Sequence, residues 1–70
     1  MTTGRVKEFD VQRGDGVIRS LQGEELYFHC VVIEDGSRTV DIDQTVTFKR
    51  SVGHLGRDEA AQVVKVAAAN

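Results

Sequence analysis

The stretch Arg13-Gly14-Asp15-Gly16-Val17-Ile18-Arg19-Ser20-Leu21-Gln22-Gly23-Glu24-Glu25-Leu26-Tyr27-Phe28-His29-Cys30 decides how the chain is read. Two short apolar-alternating runs flank Leu21-Gln22-Gly23-Glu24, and Arg13-Gly14-Asp15-Gly16 precedes them as a tight connection. Glycine tolerates the positive backbone angles that hairpins need, so both breaks read as turns between strands. In the run Glu25 to Cys30, Leu26 and Phe28 share one face and Glu25, Tyr27 and His29 the other, which is the period of a half-buried strand.

Working outward, a first strand is predicted over Gly4 to Gln12, with Val6, Phe9 and Val11 apolar, and a second over Asp15 to Ser20. Val31-Val32-Ile33 suits one turn of 3₁₀ helix as the chain leaves the sheet. Glu34 to Asp43 is polar around Asp35-Gly36-Ser37 and reads as a long surface loop. A fourth strand is expected at Gln44 to Ser51, where Thr45, Thr47 and Lys49 alternate with Val46 and Phe48. Val52 to Arg57 is a glycine-marked loop, and a fifth strand covers Asp58 to Val66. Its alanines and Gln62 also suit a helix, but the valine cluster favours a strand. Ala67 to Asn70 is expected to fray.

Five short strands predict an all-β fold, a closed or nearly closed barrel, because a small open sheet exposes both edges. Val6, Ile18, Leu26, Phe28, Ile33, Val46, Phe48, Ala61 and Val63 are the expected core. Strict alternation in the first strand sets Lys7 and Phe9 opposite Val6, Glu8 and Asp10. A regular strand therefore keeps Glu8 off the face of Lys7 and Phe9, and only a bulge or sharp bend would bring it there.

Composition narrows function. Seventy residues make one domain, 1–70, with an ordered core at about 3–66. Nine Lys and Arg against eleven Asp and Glu leave a formal charge of -2, so bulk charge supplies no pull toward phosphate. No apolar run is long enough for a membrane helix, and Met1 to Arg5 lacks the apolar segment of a signal peptide. A cytoplasmic protein is the expectation. The single cysteine, Cys30, fits a reducing compartment and reads as a small buried thiol. His54, in its loop, reads as solvated. Alternation sets His29 and Cys30 on opposite faces of a strand, which argues against a shared metal ion. The carboxylates at Glu24-Glu25, Glu34-Asp35 and Asp58-Glu59 fall in turns or at strand ends, where solvated charge is usual. No catalysis, cofactor or metal is expected.

The segment Gly4-Arg5-Val6-Lys7-Glu8-Phe9-Asp10 resembles the opening of bacterial cold-shock domains, whose usual pattern is G-x-V-K-W-F-N. Arg13 to Ile18 falls where that family has K-G-F-G-F-I, and Leu26-Tyr27-Phe28-His29 where it has V-F-V-H. Ile33, Gly36, Gln44, Val46, Phe48, Gly56, Ala60-Ala61 and Val63 follow in the family's order, so the likeness runs from Gly4 to about Val66. The resemblance implies a five-stranded antiparallel Greek-key barrel of the oligonucleotide-binding (OB) type that holds single-stranded RNA or DNA. Lys7, Phe9, Arg13, Tyr27 and His29 match the family's binding residues or substitute closely for them, and Arg57 falls in its final contact loop.

The departures are specific. Glu8 stands where the family has tryptophan, Asp15 and Val17 replace two phenylalanines, Cys30 replaces a frequent third, and Asp10 replaces asparagine. Arg38 lies near where the long loop usually offers another aromatic. Stacking contributes roughly 1–3 kcal/mol per base, whereas an exposed like-charge contact in water costs about 1 kcal/mol. Lost stacking is thus the larger effect, and weakened single-strand binding is the expectation. The alternative is a protein-interaction or structural barrel whose acidic points Glu8, Asp10 and Asp15 meet a basic partner. Phe28, where the family usually has valine, is expected to enlarge the core against small neighbours such as Gly16 or Ala61.

Overall fold

A computed structural model describes residues 2–53, 56 and 58–66. Its elements are β1 (Thr2–Asp10), β2 (Asp15–Ser20), β3 (Glu25–His29), a 3₁₀ turn (Cys30–Val32), β4 (Thr45–Val52) and β5 (Asp58–Lys65). The sheet closes in the order β1-β2-β3-β5-β4, so the expected barrel is present. His54, Arg57 and the expected frayed tail from Ala67 to Asn70 lie outside the described residues.

β1 stops at Asp10 rather than running to Gln12. The Asp10 carboxylate accepts from the Gln12 and Arg13 amides at 2.9 and 3.2 Å, and its carbonyl accepts from Gly14 at 2.7 Å. This local bonding competes with the ladder and turns the chain. Gly14 takes φ 74° there. The β2–β3 hairpin closes similarly: the Glu24 amide donates to the buried Ser20 hydroxyl at 3.1 Å, and Gly23 adopts φ 94°.

Alternation then sorts the side chains. Val6, Ile18, Leu26, Phe28, Val46, Phe48 and Val63 are sealed inside, joined by Ile33 and Ala60. Two departures from the expected core have register as their cause. β4 pairs Thr47 with Val64 but Lys49 with Ala61, so β5 carries one residue more than β4 across this step. Gln62, at φ 51°, absorbs it, and Ala60 rather than Ala61 turns inward together with Val63. Val40, read from sequence as part of a polar surface loop, folds back and packs against the core.

The bulge required in β1 is also present. Val6 pairs with Ile18 and Glu8 with Val17, leaving Lys7 as the extra residue. Phe28 sits directly across from Gly16. A Cβ on Gly16 would collide with the backbone of Glu8 and Phe9, so β1 crosses hard against β2 at this point. Phe9 covers the gap, its ring stacked on Phe28 with centroids 5.9 Å apart and planes 13° apart. Between β3 and β5 the seam is narrow and parallel: Tyr27 pairs with Glu59, and Ile33 bridges to Val63.

The long loop is pinned to β5 by Asp35. Its carboxylate accepts from the Ser37 amide at 2.9 Å and pairs with Lys65 at 3.0 Å. These contacts, the Ser37 amide first, hold its pKa down at about 2, against an ordinary value of 3.8. A depressed carboxylate stabilises the fold above its unfolded pKa, and that contribution disappears as pH falls through the folded value. Acid titration of the urea midpoint should therefore fall between about pH 4 and pH 2, and Asp35→Asn should flatten that window. An unchanged profile in the variant would remove Asp35 as a cause.

Candidate functional site

The outward residues of β1, β2 and β3 form three rows across the sheet. Register sets Arg5 beside Arg19 and Arg19 beside Glu25, then Glu8 beside Val17 and Val17 beside Tyr27, then Asp10 beside Asp15 and Asp15 beside His29. The bulge at Lys7 is what brings Glu8 into the middle row. Without the extra residue Glu8 would keep the parity of Val6 and face the core.

Tyr27 stands at the centre, 40% exposed, with the partly exposed Val17 at its side. Its hydroxyl donates to Asp15 at 2.8 Å, and Arg13 binds the same carboxylate oxygen at 3.1 Å. Donation to Asp15, then burial and the Asp15 charge, push the Tyr27 pKa above its ordinary value. The phenol therefore stays protonated and the ring is held by a charged acceptor. Lys7 reaches across the bulge to Glu25 at 2.8 Å. That hydrogen bond and the Lys7 charge hold the Glu25 carboxyl below the usual carboxylate range, with a smaller contribution from Arg19.

His29 is exposed at the end of β3, where its Nδ1 accepts from the Val31 amide at 3.3 Å and caps the 3₁₀ turn. The Cys30 sulfur lies 3.8 Å from the same nitrogen. The sequence argument that separated these two side chains fails, because the chain has already left the strand and turned at Cys30. No cluster of three or more His, Cys, Asp or Glu side chains suited to a metal occurs among the described residues.

Of the candidate residues, Lys7, Phe9, Arg13, Tyr27 and His29 all lie on β1–β3 or the turn between β1 and β2, and Arg57 lies outside the described residues. They are not equivalent. Tyr27 and His29 present exposed rings, whereas Phe9 is half-buried on Phe28. Lys7 and Arg13 are each engaged by a carboxylate on the same face. A groove of about 320 Å³ runs beside Tyr27 between Phe9, Asp10, Arg13 and Val17. Arg19 also belongs to this face, although the sequence reading assigned it no role there. The signal was there in the parity of β2, which points Asp15, Val17 and Arg19 the same way as Tyr27.

Comparison with known proteins agrees with this geometry. The family described as 'Cold-shock' DNA-binding domain matches residues 2–66. Cold shock-like protein CspD of Bacillus cereus is 38% identical over 66 residues, covering 93% of this chain and 98% of its own. Cold shock-like protein CspLB of Listeria monocytogenes is 36% identical over 67 residues, covering 94% of this chain and all of its own (100%). Among solved structures, drosophila Unr CSD456 superposes with a TM-score of 0.77 at 24% identity, over 93% of this chain and 26% of that one.

Proposed function

The chain belongs to the cold-shock domain family, and from this we propose that its β1–β3 face binds single-stranded RNA or DNA with reduced affinity. The observation that carries the reading is Tyr27, an exposed ring held by Asp15 at the centre of the outer face of a closed barrel. Tyr27 and His29 supply flat surfaces for bases, with Phe9 at the groove edge. Lys7, Arg13 and Arg57 supply positive charge. Exposed ion pairs are worth about 0–1 kcal/mol, so Lys7 and Arg13 can exchange their carboxylates for phosphate at little cost. What reduces affinity is the missing stacking at Glu8, Asp15 and Val17, with carboxylate repulsion second.

Tyr27 is the chain's only tyrosine and there is no tryptophan, so intrinsic tyrosine fluorescence reads this site alone. Titration with oligothymidylate or a mixed-sequence oligonucleotide at low salt should quench it. Tyr27→Ala should weaken binding by about 1–3 kcal/mol, roughly 5- to 150-fold, while Tyr27→Phe keeps most of it. Absence of binding at concentrations on the order of hundreds of micromolar, the range of non-specific contacts, would refute the reading.

A second reading, a protein-interaction or structural role, is favoured by one observation. Glu8 and Glu59 lie in the Tyr27 row, and Asp10 and Asp15 in the row next to it. A basic protein segment suits that border. Co-purification from nuclease-treated lysate separates the two, because a protein contact survives the treatment.

A further inference from the structure

Two cations of the face have no role in the function proposed above. Arg5 on β1 and Arg19 on β2 are directly opposed in the ladder, and both are exposed. Neither guanidinium forms an ion pair among the described residues. Glu25, the carboxylate across from Arg19, is already bound by Lys7 at 2.8 Å. The row thus holds three cations, Arg5, Lys7 and Arg19, against one carboxylate. Like charges set directly opposite destabilise a sheet, and an anion bridging them removes that repulsion. Guanidinium forks match the paired oxygens of a phosphodiester.

We infer that the Arg5–Arg19 pair is a phosphodiester-docking site for a single strand whose base lies on Tyr27. This rests on the single-strand reading above and assigns the strand its position. Arg19 and Val17 lie two residues apart on one face of β2, about 7 Å, and Val17 is the neighbour of Tyr27. A separation of that size suits one nucleotide, its phosphate on the arginines and its base on the ring. At the other end of the face a phosphate must first displace Asp15 from Arg13 and then meet Asp10 and Asp15, whereas Arg5 and Arg19 have no carboxylate to displace among the described residues. The strand is therefore anchored more firmly by its backbone at the arginine end than at the Arg13 end.

The test is the salt dependence of oligothymidylate binding to the full chain and to Arg5→Gln, Arg19→Gln and their double variant. Lys49→Gln makes the same charge change on β4, away from this face. Each arginine variant should raise Kd about 5- to 10-fold near ~50 mM salt and lower the slope of log K against log salt, and the double variant should lower it by about 0.7 in all, the contribution of one phosphate. Lys49→Gln should change neither. Urea midpoints should hold or rise in the arginine variants, since a like-charge pair is being relieved. An abasic deoxyribose-phosphate oligomer should show the same arginine dependence without quenching Tyr27. Equal slopes for the wild type, Lys49→Gln and the arginine variants, with oligothymidylate still bound, overturn this inference and leave the single-strand reading standing. If oligothymidylate does not bind the wild type at all, both fall.

Discussion

Replacing Asp15 and Val17 together by phenylalanine is expected to tighten binding of a thymidine-rich single strand by about 2–4 kcal/mol, roughly 30- to 1,000-fold. Both positions point outward from β2 beside the Tyr27 and His29 positions of β3, so the new rings extend an existing surface. The change has three physical parts. Two rings are restored for stacking, a carboxylate leaves the path of a polyanion, and Arg13 loses the partner that occupies it. Against these stands the loss of the acceptor that holds the Tyr27 hydroxyl.

Asp15→Asn separates the contributions. It removes the charge and retains an oxygen for Tyr27, so it should gain only about 1 kcal/mol at low salt. That smaller gain should vanish as salt is added, while the gain from stacking persists. If the double phenylalanine variant folds normally and binds no better than Asp15→Asn, missing rings are not what limits this face.

The largest effect on stability is expected at Phe28. Phe28→Ala removes a ring with no exposed surface, together with its stacking partner contact to Phe9. Truncation of a buried phenylalanine costs about 3–5 kcal/mol. Folded domains have about 0.05–0.15 kcal/mol per residue in reserve, so a chain this short has roughly 3.5–10 kcal/mol in all. The variant should therefore lose much of its stability, and urea unfolding measures how much. Collapse around the cavity is blocked on the β2 side, because a Cβ on Gly16 would meet the carbonyl of Glu8 and the Cα of Phe9. Phe28→Leu should retain about half or more of what alanine loses. A loss under ~1 kcal/mol in Phe28→Ala would mean that the site repacks and that the Phe9–Phe28 stack is not a keystone of the barrel.

The binding consequence follows from the same stack. Phe9 is carried to the groove by packing on Phe28, at the place where β1 presses on Gly16. A half-buried ring tied to the core presents one edge to a ligand, while Tyr27 presents a face. Mutation of Phe9 should thus register in both stability and affinity, in contrast to Tyr27, whose ring lies on the outer face and bonds to Asp15 there.

Much of this was legible in the linear chain because alternation is a local property. Leu26 and Phe28 inward, with Tyr27 and His29 outward, follows from the two-residue period of a strand, and glycines mark the hairpins whatever the rest of the fold does. The need for a bulge in β1 was legible only through the family resemblance, which sets Glu8 at a binding position: no regular strand puts both Val6 inside and Glu8 beside Tyr27. Long-range register was not legible. Only the pairing of β1 with β2 makes Lys7 the extra residue, and only the pairing of β4 with β5 puts Ala60 rather than Ala61 in the core. Val40 turned inward because barrel closure left apolar surface for the loop to cover. The bonds from Tyr27 to Asp15 and from Lys7 to Glu25, and the opposition of Arg5 and Arg19, join residues far apart in the chain. Charge balance along a sequence says nothing of such neighbours, because electrostatic energy depends on distances that exist only once the strands have closed.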